Sequence, residues 1–376
     1  MDFAAVEKEM MGAVENGVFP GAVLLVNREG QVLYCQAFGF RSPESDRSPI
    51  HEETIFDLAS LTKPLATTVA FMLMVKEKKV QLDDRVTRFL SNFGVYGKNP
   101  ITFRQLLAHC SGLPAWRPYY KEIARQEHEG KVNFLGSRSA REFVYNQIQR
   151  EKLESTPGQK AIYSDLGFML LGEIIEEVCG TGLDRYCQEN IFRPLGLCRT
   201  FFVNLEIMRR HNLEPVREVF APTESCPWRK KVLCGEVHDD SAYAMGGVAG
   251  HAGLFASIRD VDRLVTTLVE CYRGKGIFLP AGLVCEFWTR EGTVPGSTWA
   301  LGWDTPSEAG ASCGTHFSPH SIGHLGFTGT SVWIDLEKSV RVILLSNRVH
   351  PRRANNKIHA FRPLIHDLVM EAMLAG

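Results

Sequence analysis

Strand-forming chemistry lies near the two ends of this 376-residue chain and is scarce between them, which restricts the folds open to it. Near the N-terminus, "GAVLLVNREGQVLYCQAFGF" (residues 21–40) is two apolar runs around Arg28-Glu29-Gly30, a hairpin pattern. Near the C-terminus, "TSVWIDLEKSVRVILLSN" (residues 330–347) is a second hairpin turning near Glu337-Lys338, and the chain then closes with a helix over about residues 358–374. From about residue 80 to 290 the periodicity is mostly helical, as in "SAREFVYNQIQREKL", "LGFMLLGEIIEEVCG" and "DVDRLVTTLVECYRG". Ser111-Gly112-Leu113-Pro114 and Gly180 supply stops. The expected class is α+β: one antiparallel sheet assembled from both termini and flanked by helices, beside a mostly helical lobe. Residues 1–78 and 291–376 would form the sheet domain and residues 79–290 the helical one, with a cleft between them. There are no internal repeats, and residues 306–323 read as the most loop-like segment.

Composition narrows the function. The chain is 44% hydrophobic and 23% charged, enough apolar material for a sizeable core. A formal net charge of -1 gives no basic excess to attract nucleic acid or an anionic membrane surface. No apolar run approaches the roughly 18 residues of a membrane span. The stretch "MDFAAVEKEMMGAVENGVFPGAVLLVN" reads as an amphipathic helix running into a strand, without the cationic start and small-residue cleavage site of a secretory signal, so a cytoplasmic location is expected. The ten cysteines contain no Cys-x-x-Cys, and several, such as Cys179 and Cys187, fall inside helical patterns. They read as reduced thiols, with a few disulfides after export as the alternative.

One short segment carries chemistry. In "FDLASLTKPLATTVAFMLMV" (residues 56–75), Ser60 and Lys63 head an apolar run. Residues three apart share a helix face, and Pro64, which lacks an N–H, fits only in a first turn, so the helix is expected to begin near Ser60. A lysine at such a buried end loses hydration, which favours its neutral amine. A neutral amine can take the proton of a neighbouring hydroxyl, the wiring of an activated serine. Ser60 as a plain N-cap and Lys63 reaching to water is the competing view. Two further elements accompany the pair. Tyr163-Ser164-Asp165 opens an amphipathic helix after the turn Thr156-Pro157-Gly158, placing a phenol where it can relay a proton. There Asp165 as a helix cap and Tyr163 as packing is the plainer reading. "SIGHLGFTGTSVWIDL" puts Gly326 and Gly329 before a strand, with His324 at the strand's head and backbone N–H groups open to a substrate.

In order and spacing, Ser60-Leu61-Thr62-Lys63, Tyr163-Ser164-Asp165 and His324-Leu325-Gly326 resemble the three motifs of the penicillin-recognising serine hydrolases: Ser-x-x-Lys, Tyr-x-Asn and Lys/His-Thr-Gly. They are most similar to the class C β-lactamase branch, which includes D-alanyl-D-alanine carboxypeptidases, D-aminopeptidases and esterases. "LLAHCSGLP" and "GGVAGHAGLFAS" are similar to further segments of that branch. The resemblance, over roughly residues 15–350, implies a β-lactamase/transpeptidase-like fold, Ser60 as acylated nucleophile, Lys63 as its base partner and Tyr163 assisting proton transfer. It implies an oxyanion hole from the N–H groups of Ser60 and Phe327, and no cofactor or metal.

Three positions depart from the pattern. Asp165 stands for Asn, and a carboxylate cannot donate to a substrate carbonyl unless protonated. Paired with Lys63 instead, it would keep the lysine charged. Leu325 stands for Thr and removes a hydroxyl, while His324 replaces a permanent cation. These changes suit a small ester or amide, or a D-amino-acid peptide held by other contacts, better than an anionic β-lactam. The first expectation is therefore an esterase-like serine hydrolase, with a D-alanyl-D-alanine carboxypeptidase or muropeptide peptidase as the alternative and a non-hydrolysing penicillin-binding sensor as the reading from another class. Other motifs count for less. Gly310-Ala311-Ser312-Cys313-Gly314 fits Gly-x-Ser-x-Gly but lacks the flanking strand and helix. His238-Asp239-Asp240 with His251 lacks helical metal-ligand spacing, and His109 beside Cys110 reads as an ordinary helix-end histidine.

Overall fold

The computed structural model describes residues 1–42, 46–130 and 132–374. Strands β1 (Gly21–Arg28), β2 (Gln31–Ser42) and β3 (Asp46–Pro49) come from the N-terminal end. Five short strands follow: β4 (Phe56–Asp57), β5 (Thr200–Phe202), β6 (Ser225–Cys226), β7 (Lys231–Val232) and β8 (Leu254–Ala256). The C-terminal end adds β9 (Ile322–Leu325), β10 (Ser331–Asp335) and β11 (Val340–Ser346). The main sheet has the order β3-β2-β1-β11-β10-β9, antiparallel throughout, so the two ends of the chain meet where β1 pairs with β11. Both hairpins turn where the sequence places them.

β1 and β11 read as unbroken apolar runs because both sheet faces are covered. Side chains alternate across a strand, and the alternation sorts them into two cores. Ala22, Leu24 and Val26 of β1, with Val342 and Leu344 of β11, pack under the terminal helices Ala4–Glu15 and Ile358–Leu374 against Val6, Met10, Ile365 and Val369. Val23, Leu25, Ile343 and Leu345 face the helical body, including Val69 and Val265. Leu24 opposite Leu344 and Leu25 opposite Ile343 fix the register. A slip of one residue would exchange the two faces.

The middle of the chain is not purely helical. β4, β8 and β5 form a three-stranded sheet, and β6 pairs with β7. Its helix Ile258–Tyr272 also packs against β1 and β11. There Arg341 donates to Asp262 at 2.7 Å, and Asn27 donates to the same carboxylate at 3.2 Å. Residues 306–321 are irregular, as their composition indicates. The third motif differs from expectation. His324 does not head the strand that follows Gly329; it lies on its own edge strand, β9, opposite Val332 of β10. Residues 326–330 form the turn between them, with Gly329 at φ +110°. All ten cysteines are unpaired, and among the described residues no helix is long and apolar enough to cross a membrane.

Candidate active site

The site begins where β4 ends. The buried Asp57 carboxylate accepts the N–H of Ala59 at 2.8 Å and of His238 at 2.6 Å. Burial pushes this carboxyl above its usual range despite both bonds. Ala59 sits at φ 47°, a left-handed conformation that costs a residue bearing a Cβ about 1–2 kcal/mol. Such strain persists where neighbouring bonds over-determine a functional geometry. A 3₁₀ turn (Ala59–Leu61) leads into a π-helical turn (Lys63–Thr68) and then the α-helix Val69–Lys76. Single π turns recur at functional sites. Pro64 lies at the start of the π turn, where its missing N–H leaves no bond unmade. The N-cap of the 3₁₀ turn is Leu58, so Ser60 does not cap it.

Lys63 is fully buried, and its Nζ meets three oxygens: Ser60 Oγ at 3.0 Å, Asp165 Oδ1 at 2.7 Å and the His251 carbonyl at 3.2 Å. It also lies 4.7 Å from the centre of the Tyr163 ring. Burial alone would lower its pKa, but Asp165 and Tyr163 outweigh burial and hold it above the ordinary lysine value. Burial at a helix end pointed to a neutral amine, and the Asn-to-Asp departure at position 165 to a charged one. The pairing with Asp165 makes the resting group an ammonium.

Asp165 is free to do this because it is not the helix cap. Ser164 caps the helix Asp165–Cys179, its Oγ accepting from Gly167 N–H at 3.2 Å and donating to the Pro114 carbonyl at 2.7 Å. The Asp165 N–H donates to the Ala115 carbonyl at 2.9 Å, so "SGLP" and the second motif are tied together. The Tyr163 phenol lies beside Lys63 and Ser60, and burial raises its pKa while the Lys63 charge opposes the rise.

Sequence reasoning missed what holds that tyrosine. Trp299 stacks on its ring at 5.3 Å, and His109 packs on it at 4.7 Å. His109 is therefore more than an ordinary helix-end residue. Its Nδ1 accepts the Ser164 N–H at 3.0 Å, and burial lowers its pKa well below the usual value, so it is a neutral wedge under the second motif. "LLAH" gave a signal only through its nearness to "CSGLP"; Trp299 gave none, since its partner lies more than a hundred residues away.

The third motif completes the ring. His324 lies 6.1 Å from the Tyr163 ring and is buried, and its Nδ1 donates to the Leu325 carbonyl at 2.8 Å. Burial, aided by Lys63, lowers its pKa to about 3, so at neutral pH it supplies no positive charge. The 326–330 turn is bolted to the residues before Ser60: Thr328 Oγ donates to the Asp57 carbonyl at 2.7 Å and Thr330 Oγ to the Leu58 carbonyl at 3.1 Å. Only glycine fits at position 326, where a Cβ would fall 2.5 Å from the Leu58 carbonyl oxygen. The Phe327 side chain is half exposed and stacks on His238.

Of the remaining motifs, the Gly-x-Ser-x-Gly match lies apart from this chemistry, whereas His238 and His251 border it through their backbone and the His238 ring. Cys313 of the Gly-x-Ser-x-Gly match is buried under the C-terminal helix, with no strand before it or helix after it. His238 pairs with Glu224 at 3.3 Å and His251 with Asp239 at 2.9 Å, two separate pairs. Asp239 caps the short helix Asp240–Ala244.

Comparison with known proteins identifies the family to which the chain belongs. The family described as "Beta-lactamase" matches residues 3–363. A protein of Escherichia coli K12 named "Putative D-alanyl-D-alanine carboxypeptidase" is 33% identical over 364 residues, covering 88% of this chain and 79% of the relative. A protein of the same name from Salmonella typhimurium is 31% identical, with 93% and 84% covered. Among solved structures, the fold is similar to that of simvastatin synthase (LovD) from Aspergillus terreus, with TM-score 0.74, 20% identity and both chains covered in full. It is also similar to "EstCE1, a hydrolase with promiscuous acyltransferase activity", with TM-score 0.71, 24% identity and 97% of each chain covered. A penicillin-binding protein homologue of Pyrococcus abyssi has TM-score 0.72 and 22% identity, with 100% of this chain and 78% of that one covered. A match that runs from the first helix into the last, with relatives above 30% identity over most of both chains, means that the protein belongs to the beta-lactamase family of serine hydrolases.

Proposed function

We propose that this protein hydrolyses small esters or amides through an acyl-enzyme on Ser60. The observation that carries the reading is the contact of Ser60 Oγ with a fully buried Lys63 amine at 3.0 Å, with the Tyr163 ring centre 4.7 Å from that amine. In the fraction of molecules whose Lys63 is neutral, the amine takes the Ser60 proton as the oxygen attacks a carbonyl carbon. The Tyr163 phenol, held against Lys63, passes a proton to the leaving group. The N–H groups of Ser60 and Phe327 receive the developing oxyanion, since preorganised donors act where charge appears in the transition state. Water then releases the acyl group.

The substrate preference follows from charge. The Asp165 carboxylate lies against Lys63, and the third motif offers a neutral imidazole where a cation would bind a substrate carboxylate. The arrangement favours an uncharged leaving group. The name carried by the relatives supports the D-alanyl-D-alanine carboxypeptidase as a second reading, which would need another group to hold the terminal carboxylate.

Turnover of p-nitrophenyl butyrate by the wild type and its loss in Ser60→Ala would support the enzyme. Turnover that survives in Ser60→Ala removes Ser60 as nucleophile. A stable adduct on Ser60 without turnover would instead mark a sensor. A panel of D-Ala-D-Ala peptides and nitrocefin then ranks the substrate classes.

A further inference from the structure

We propose that Arg362 is a positioning residue for the oxyanion-binding N–H of Phe327, acting through the Gly326 carbonyl. The inference rests on the acyl-enzyme reading above. Arg362 lies in the C-terminal helix Ile358–Leu374, on the far side of the sheet edge from Ser60 and outside all three motifs. It is 4% exposed, and among the described residues it makes no ion pair. Burying a guanidinium without a carboxylate is costly, so its position calls for a compensating role. One of its terminal nitrogens donates to the Gly326 carbonyl at 2.8 Å and the Thr330 carbonyl at 2.9 Å, the two ends of the third-motif turn.

The geometry of a peptide unit gives this contact its consequence. The Gly326 carbonyl and the Phe327 N–H belong to one peptide group, and it is trans. In a trans peptide the two dipole ends point in opposite directions. The Arg362 cation, with the Gly329 N–H that also donates to this oxygen at 3.1 Å, therefore turns the Phe327 N–H away from Arg362, toward the side of the turn that Thr328 and Thr330 tie to Asp57 and Leu58, just before Ser60. It also draws electron density from the amide, and hydrogen bonds that polarise one another in sequence strengthen each other.

A second buried arginine fixes the next peptide. Arg348 Nε donates to the Phe327 carbonyl at 2.8 Å, and its guanidinium lies 4.4 Å from the Phe327 ring centre. Among the described residues, the titratable groups that interact with Arg362 electrostatically are Arg348 and the imidazoles of His324, His359 and His366, none of them anionic. Burial, with Arg348 adding repulsion, brings Arg362 down to about 9, which leaves it cationic at neutral pH.

The test uses the full chain with Arg362→Met, which keeps length but removes charge and donors, and Arg362→Lys, which keeps the charge. Three quantities are read for each: kcat and KM for p-nitrophenyl butyrate, the inhibition constant of phenylboronic acid, whose serine adduct places an oxygen where the oxyanion forms, and the thermal midpoint. Loss of a whole oxyanion donor costs about 10²–10³ in kcat, so loss of its aim and polarisation should cost about tenfold. Arg362→Met is expected to lower kcat about tenfold with KM within twofold and to weaken phenylboronic acid by a similar factor, and Arg362→Lys to recover part of both. If Arg362→Met does not fold, a parallel fall of kcat and boronate affinity in Arg362→Lys supports the role, and no change in either overturns it. A loss of kcat with boronate affinity unchanged marks a merely structural residue and overturns it too. If Ser60→Ala abolishes turnover while Arg362→Met keeps wild-type kcat, this inference fails and the serine reading stands. If Ser60→Ala turns over like the wild type, the underlying reading is what has failed.

Discussion

The tension at the heart of the site is between two neighbours of Lys63. Burial favours the neutral amine that a serine nucleophile needs, and Asp165, 2.7 Å away, favours the ammonium. Since the carboxylate wins, the amine stays charged through neutral pH, and the active fraction grows as pH rises toward the raised lysine pKa. The alkaline rise of kcat/KM is therefore expected to titrate Lys63. Asp165→Asn removes the largest influence raising that pKa and leaves burial, which lowers it. The rise should move at least about one pH unit toward neutrality, because an adjacent opposite charge is worth 1–3 units. A pH profile of kcat/KM on p-nitrophenyl butyrate checks this. A limb that stays in place would show that some group other than Lys63 controls the rate.

Elements set the geometry that these residues use. The helix Asp165–Cys179 begins at Ser164, whose hydroxyl satisfies one end of the helix and reaches across to the Pro114 carbonyl. The same residue's N–H is held by His109. Ser164→Ala should cost about 1–2 kcal/mol of stability from the lost cap. It should also loosen the second motif, lowering kcat more than it raises KM. Urea unfolding and steady-state kinetics on one preparation would show both effects, and an unchanged urea midpoint would mean the cap contributes nothing. The π turn at Lys63–Thr68 and the strained Ala59 belong to this scale too. Neither is visible as a motif, because both are backbone conformations, and the bond that holds Ala59 comes from the Asp57 carboxylate.

The whole molecule depends on joining the two chain ends and on fixing the helical body to the resulting sheet. Asp262 has a central part in that attachment, since it holds the buried Arg341 of β11 and the side chain of Asn27 of β1. Asp262→Ala would leave Arg341, 3% exposed, without its carboxylate. Removing one partner of a buried ion pair costs about 3–5 kcal/mol, and chemical denaturation should report a loss of that order. A cost below about 1 kcal/mol would mean that water reaches Arg341. The same scale explains which fold features were legible. Both hairpins and the C-terminal helix announced themselves because turn residues and apolar periodicity are local. The short strands β5 and β8 did not, since three residues carry too little pattern and pair only across long sequence gaps.

The sequence by itself determined the hairpins at both ends, the closing helix and the identity of Ser60, Lys63, Tyr163 and Asp165 as one constellation. Spacing along a helix and alternation along a strand are encoded within a few neighbouring residues. Tertiary structure alone decided that Ser164 and not Asp165 caps the helix, that Lys63 rests as an ammonium and that His324 stays neutral on an edge strand. It alone decided that Trp299, His109 and Arg362 surround the site. Those outcomes depend on burial and on charges brought close from distant parts of the chain, and neither quantity exists until the two ends of the sheet have met.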